Sequence, residues 1–257
     1  QHNIYICVNH RMASGKNKFT YEYTGRKTLA EMTQEKKLTI GLCLIVTGKY
    51  NRFLQNLIDT LSTHFFVDDE VVIYLFWDKP TYNLLLPARF SVVCIPTEHK
   101  PFPFPTLYRY KFFVNASEKI HCQYLFYSDV DMILVGDVGR EILPGEQDGG
   151  LVATGHPGFW TSGGSWCNQT NSTAFTEEHN RTRYVCGGFQ GGETMAYLAA
   201  CREMADNIDK DLSVGIIAEW HDEMHFNCYL STRKYKLLTP EYCMIPEIET
   251  REKYGIS

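Results

Sequence analysis
The chain reads as an α/β domain built on a mainly parallel sheet. Three observations carry this: apolar runs of strand length without alternation, a helical period directly after the first of them, and two carboxylates closing the central run. Continuous apolar runs mark strands buried on both faces, as in parallel sheets covered by helices. The 257 residues, 44% apolar and 21% charged, suffice for one large domain or two closely fused halves.

Residues 1–37 lack strong periodicity and read as an N-terminal arm, so the organised domain spans 38–257. The run Thr39 to Thr47 predicts the first core strand, and Phe53, Leu54, Leu57, Ile58 and Leu61 recur at helical spacing between Asn51 and His64. Val71 to Trp77 and Phe90 to Ile95 predict two further strands, with polar or proline-bearing connections. Pro101-Phe102-Pro103-Phe104-Pro105 excludes a regular helix and introduces one over Leu107 to Ala116, carrying Arg109 and Lys111. The strand Tyr124 to Ser128 then ends on Asp129-Val130-Asp131, and the aliphatic Met132 to Val135 argues against a plain solvated turn.

Asp is disfavoured in strands and costly to bury unpaired, so two closing a hydrophobic run call for a divalent cation, a turn or solvent. Ligands of open α/β sheets sit at the carboxyl ends of the strands, which brings Thr47 to Tyr50 and Asp129 to Asp131 to one crevice; a nucleotide fits there. By periodicity alone Tyr50 is a packing aromatic at a helix start. Tyr184 to Gly192 carries four glycines, which permit tight turns or close backbone approach to a ligand. Helical spacing puts Trp220, Glu223 and Asn227 on one stripe, a platform, a carboxylate and an amide that suit a sugar. His221 and His225 stand four apart as in a zinc helix, but the acid is displaced by one position and no third ligand is evident.

A formal charge of −5 without a long basic block disfavours a nucleic-acid partner. No run reaches bilayer-spanning length, while a start at Gln1 rather than Met leaves room for a removed leader or anchor. Nine cysteines contain no Cys-x-x-Cys, and Cys43, Cys94 and Cys122 beside apolar runs read as small core residues. Four N-x-Ser/Thr sequons, at Asn115, Asn168, Asn171 and Asn180, favour a secretory route, three of them crowding one polar loop.

Together these segments resemble glycosyltransferase family 6, the group of the histo-blood-group A and B transferases, α-1,3-galactosyltransferase and Forssman synthase. The resemblance covers about residues 38–243 and rests on seven anchors in order: Thr39-Ile40-Gly41-Leu42 leading to Lys49-Tyr50, Arg109-x-Lys111, Asp129-Val130-Asp131, His156-Pro157-Gly158-Phe159, Gly187 to Gly192, Trp220-His221-Asp222-Glu223 with His225 and Asn227, and Pro240-Glu241-Tyr242. It implies a GT-A fold with a nucleotide-binding half over 38–136 and an acceptor-binding half over 137–257. Asp129 and Asp131 would hold Mn²⁺ against the diphosphate of a UDP-sugar. Tyr50 would lie by the uracil, and Arg109, Lys111, Val130, Cys186, Gly187, Gly188 and Asp222 along the donor. His156 and Trp220 would line the site of a galactose-containing glycan acceptor. Glu223 would face the anomeric carbon as nucleophile or stabilising carboxylate, giving an α-1,3 linkage with retention. Gly188 leaves room for an acetamido group and so favours UDP-GalNAc over UDP-Gal.

Departures from the family pattern are equally specific. Glu241-Tyr242-Cys243-Met244-Ile245 replaces Glu-Tyr-Leu-Trp-Asp, the stretch Thr161 to Arg183 differs, and only Arg251 and Lys253 stand where a basic tail closes over UDP. An inactive carbohydrate-binding or structural protein on the same scaffold is thus the alternative, and a haloacid-dehalogenase-type phosphatase a third, disfavoured because its D-x-D opens the domain. The sequons and anchors place the chain in the Golgi lumen or outside the cell as a fragment lacking its anchor, against a soluble bacterial-type protein.

Overall fold
The computed structural model describes residues 4–6, 36–79 and 84–244. Its centre is a seven-stranded sheet in the order β4-β3-β2-β5-β8-β7-β9. The strands are β2 (Thr39–Val46), β3 (Glu70–Trp77), β4 (Phe90–Pro96), β5 (Tyr124–Ser128), β7 (Leu151–Gly155), β8 (Val185–Glu193) and β9 (Lys236–Leu238). Pairing is parallel from β4 to β5 and between β7 and β9, and antiparallel on both sides of β8. The mixed, mainly parallel sheet expected from the apolar runs is therefore present, and strands from before 136 and after 137 share it.

β2 is enclosed, with Ile40 to Thr47 buried on both faces. One face packs on α1 (Leu54–His64) through Leu54, Leu57, Ile58 and Leu61, the stripe expected from periodicity; Asn51 to Phe53 instead belong to a 3₁₀ turn over Gly48–Phe53. The other face packs on α3 (Arg109–Asn115), α4 (Thr194–Ser213) and α5 (His221–Leu230) through Tyr110, Phe113, Tyr197, Met204 and Phe226. The helix expected over Leu107 to Ala116 breaks at Tyr108, and a short α2 (Phe104–Leu107) starts within the proline run, with Pro105 in its first turn where a missing N–H costs nothing.

Some expectations change. The glycine-rich Val185–Glu193 is a strand rather than a turn cluster, and a Cβ on Gly191 would meet the Leu125 carbonyl at 2.3 Å. The Met132–Leu134 run is a strand, β6, paired in parallel with β1 (Ile4–Ile6) of the N-terminal arm; apart from Lys36 and Lys37 the rest of the arm, Cys7 included, lies outside the described residues. Cys94 is exposed because β4 is an edge strand, whereas Cys43 is buried and Cys122 half-buried; all eight described cysteines are free. Among the described residues no helix is long and apolar enough to cross a membrane.

Candidate active site
The carboxyl ends of β2 and β5 open on a cavity of about 510 Å³ lined by Thr47, Tyr50, His99, Lys100, Phe102, Asp129 and Asp131 among others. Beside it lies a hollow of about 170 Å³ formed by Arg109, Asp129, Gly187, Gly188, Trp220, Asp222 and Glu223. Asp129 belongs to both walls, so the two make one cleft. A larger hollow of about 860 Å³ around Lys36, His64 and Arg140 has its buried carboxylate, Asp69, already in a 2.7 Å ion pair with Arg140.

An irregularity in β8 builds the floor. Ala153 pairs with Gln190 but Thr154 pairs with Cys186, so β7 skips Gly187 to Phe189. A bulge of this kind frees backbone groups from the ladder and re-aims them. The freed Gly187 N–H donates to Glu223 Oε2 at 2.8 Å, and the Gly187 carbonyl accepts from Arg109 Nη1 and from the Gln190 amide. The Gly188 carbonyl accepts from the Asp129 N–H at 2.9 Å, locking the bulge to the end of β5.

Arg109 is the hub. It is buried, its Nη1 lies 2.9 Å from Asp222 and its Nη2 3.3 Å from Asp129, and its guanidinium stacks 3.9 Å over the Tyr127 ring. Burial of such a cation is tolerable only with partners of this kind. Asp222 and Glu223 occupy the first turn of α5, where the helix dipole favours negative charge, after a Trp220 cap and a left-handed His221 (φ 47°). Burial pushes Glu223 up to about 7, with the Gly187 N–H pulling against it, and Asp222 up to about 6, opposed by Arg109.

Asp129 and Asp131 test well as a cation site. Asp129 Oδ1 is engaged by Arg109 and the Tyr127 hydroxyl, while Oδ2 faces Gly188. Asp131 is pushed up to about 6 by burial and then by the Asp129 charge, the strain that a divalent cation relieves. Among the described residues no group of three or more His, Cys, Asp or Glu side chains is placed so that it could hold a metal ion, so a hard cation here would complete its shell with oxygens from outside the protein.

The remaining expected residues divide. Tyr50 is exposed on the cavity rim, Val130 is buried behind it, and exposed Trp220 stands at the hollow. Cys186 is buried in β8, and Cys243 Sγ fills the space that a Cβ on Gly188 would need. His156 lies beyond β7, its ring 5.8 Å from Tyr184, and burial lowers its pKa to about 4. Lys111 is not in the cleft: two residues from Arg109 on a helix means the opposite side, and its ammonium pairs with Asp209 at 2.7 Å. Asn227 leaves the expected sugar stripe as well. Its amide clamps Val185, accepting from the backbone N–H at 2.9 Å and donating to the carbonyl at 2.8 Å, which joins α5 to β8.

Arg251, Lys253 and Ile245 lie outside the described residues. Asn115, at the end of α3, Asn168 and Asn171 are exposed and Asn180 is half-buried; the loop of the last three is pinned by buried Asp211, which accepts from Ser172 Oγ at 2.6 Å and the Thr173 N–H at 2.8 Å. Sequence reasoning passed over Asp211, Tyr127 and Tyr184. Only Tyr127 carried a signal, standing two residues before Asp129 and hence on the same strand face.

The model of glycosyltransferase family 6 matches residues 17–253. The chain belongs to glycosyltransferase family 6. Histo-blood group ABO system transferase 1 of Rattus norvegicus is 31% identical over 224 residues, covering 83% of this chain and 63% of that protein. Globoside alpha-1,3-N-acetylgalactosaminyltransferase 1 of Canis lupus familiaris is 30% identical over 227 residues, with the same coverage. Alpha-1,3-galactosyltransferase 2 of Homo sapiens is 26% identical over 232 residues, 85% of this chain and 66% of that protein. The chain thus spans under two thirds of the length of the first two. For a family 6 member, the sheet described above is the core of a GT-A type fold.

Proposed function
We propose that this chain is the catalytic part of a retaining glycosyltransferase that moves GalNAc or Gal from a UDP-sugar to the 3-OH of a galactose-containing glycan. The observation that carries it is the carboxyl of Glu223, fixed by the Gly187 N–H at 2.8 Å in a hollow that also holds Arg109, Asp222 and Asp129. UDP would occupy the larger cavity, its base beside Tyr50 and its diphosphate toward Asp129 and Asp131. Those two would hold Mn²⁺, which when bound neutralises charge on the leaving diphosphate.

The donor sugar would then lie over Gly187, with Arg109 and Asp222 at its hydroxyls. Glu223 would face C1, where a carboxylate stabilises positive charge as the bond to the phosphate oxygen breaks, or bonds to C1 itself. The acceptor would enter past Trp220 and His156, and two displacements on opposite faces would retain configuration. A carboxylate is required, so the rate should fall on the acid side of about 7. The sequons favour a Golgi-lumenal or secreted site of action.

Glu223→Gln preserves shape and hydrogen-bond reach. It should keep Mn²⁺-dependent UDP binding in calorimetry and lose transfer by several orders of magnitude. Near-normal transfer would remove Glu223 from the mechanism, and no nucleotide binding by the unaltered protein would leave the sugar-binding scaffold as the better account.

A further inference from the structure
The larger cavity of the cleft carries charge of both signs: Asp129 and Asp131 line it, and so do Lys49 and Lys100. Each lysine directly follows one member of a tight contact between Gly48 and His99. Gly48 is left-handed (φ 59°), and a Cβ there would lie 2.5 Å from His99 Cε1 and 2.9 Å from its Nδ1, so the ring rests on the bare face of the glycine. The turn beneath the ring is fixed too. The Gly48 N–H donates to Asp78 Oδ2 at 2.8 Å, and the Gly48 carbonyl accepts from Asn51 Nδ2 at 2.7 Å. The segments that follow β2 and β4 are thereby joined, which brings both lysines to one cavity. Lys49 is exposed, its ammonium 5.9 Å from the Tyr50 ring centroid, and Lys100 pairs at 2.9 Å with Glu98, whose side chain is 80% exposed. An ion pair that open to water is weak and readily exchanged for a stronger anion. Arg109, by contrast, is committed to Gly187, Asp222 and Asp129.

We propose that Lys49 and Lys100 are ligands of a nucleoside diphosphate, each giving its ammonium to phosphate oxygens while the aspartate pair serves the cation. The proposal deepens the transferase assignment and rests on it for the identity of the ligand. A divalent cation between Asp129 and Asp131 offsets the two carboxylates, and a sugar-linked diphosphate then adds about two negative charges, which the two lysines match. An ammonium on a flexible stem suits a phosphate because it acts as a point charge without demanding one geometry. The same two cations favour departure as well as binding, since negative charge on the diphosphate rises as its bond to the sugar breaks.

Calorimetric titration with uridine and with UDP, each in the presence of Mn²⁺, separates the base from the diphosphate. Lys49→Ala and Lys100→Ala should each weaken UDP by about tenfold and leave uridine unchanged, the loss of one charge-assisted hydrogen bond apiece. The double variant should lose more than either, and its UDP affinity should depend less steeply on salt. Both side chains reach solvent, so Tm should stay that of the unaltered protein. UDP affinity unchanged in the double variant, or an equal loss for uridine and UDP, would overturn the proposal even where transfer is seen. Lysine-dependent UDP binding without transfer of any sugar would overturn the functional assignment alone, and no UDP binding by the unaltered protein would overturn both.

Discussion

Gly188→Ala perturbs the cleft at one known point. An added Cβ would lie 2.7 Å from Cys243 Sγ and 3.1 Å from Asp129 Oδ2, against a comfortable separation of roughly 3.5–4.0 Å. Neither neighbour yields easily: Cys243 is buried, and the Asp129 N–H is bonded to the Gly188 carbonyl itself. Overpacking of this order costs about 1–3 kcal/mol. If the strain is relieved by moving Asp129, it appears as roughly 5- to 150-fold weaker metal-dependent UDP binding. Calorimetric titration of UDP with and without Mn²⁺ measures this, and a melting curve separates it from global destabilisation. Adding Cys243→Ala removes the closer clash and should recover part of the loss, the coupling that a double-mutant cycle isolates. Wild-type UDP and Mn²⁺ affinity in the single variant, at wild-type Tm, would show that the wall between Gly188 and Asp129 is not rigid and would refute the reasoning.

Lys111→Ala should leave transfer near that of the unaltered protein, because its ammonium is paired with Asp209 outside the cleft; a large rise in donor KM would place it back at the diphosphate. Asn227→Ala orphans the Val185 N–H and carbonyl and should lower stability by about 1–3 kcal/mol for each, read as a fall in urea midpoint. The unfolded Glu223 titrates near 4.5 and the folded one near 7, so the fold binds its proton more tightly. Metal-free protein should therefore gain stability as pH falls from above 7 toward 4.5, until acid unfolding by other groups intervenes. A melting temperature that falls steadily across that window would contradict the enclosure of this carboxyl.

Much of the fold was legible because parallel strands buried on both faces leave continuous apolar runs, and β2, β3 and β5 fall where those runs lie. The pair Asp129 and Asp131 was conspicuous for a related reason, since charge at the end of a buried run stands out. β8 was opaque because glycines advertise turns, whereas here they let the strand pass within backbone contact of β5 and β7. A register skip leaves no mark in composition, so neither the bulge at Gly187 nor its backbone bonds to Glu223, Arg109 and Gln190 could be read from the residues alone.

The division between Arg109 and Lys111 sharpens the point. Both are cations on one short helix beside the cleft, and a motif read as Arg-x-Lys assigns them one task. Two positions along a helix turn them nearly opposite, so only one can face inward. Arg109 can survive burial because a planar guanidinium engages Gly187, Asp222 and Asp129 at once and stacks on Tyr127, which a single ammonium at either position could not do. Arg109→Lys should therefore cost more than Lys111→Ala despite retaining the charge, since it would leave Asp222 buried beside an incompletely satisfied partner. Equal kcat/KM and Tm for Arg109→Lys and the unaltered protein would show that charge alone, rather than the geometry of the fork, holds the two carboxylates in place.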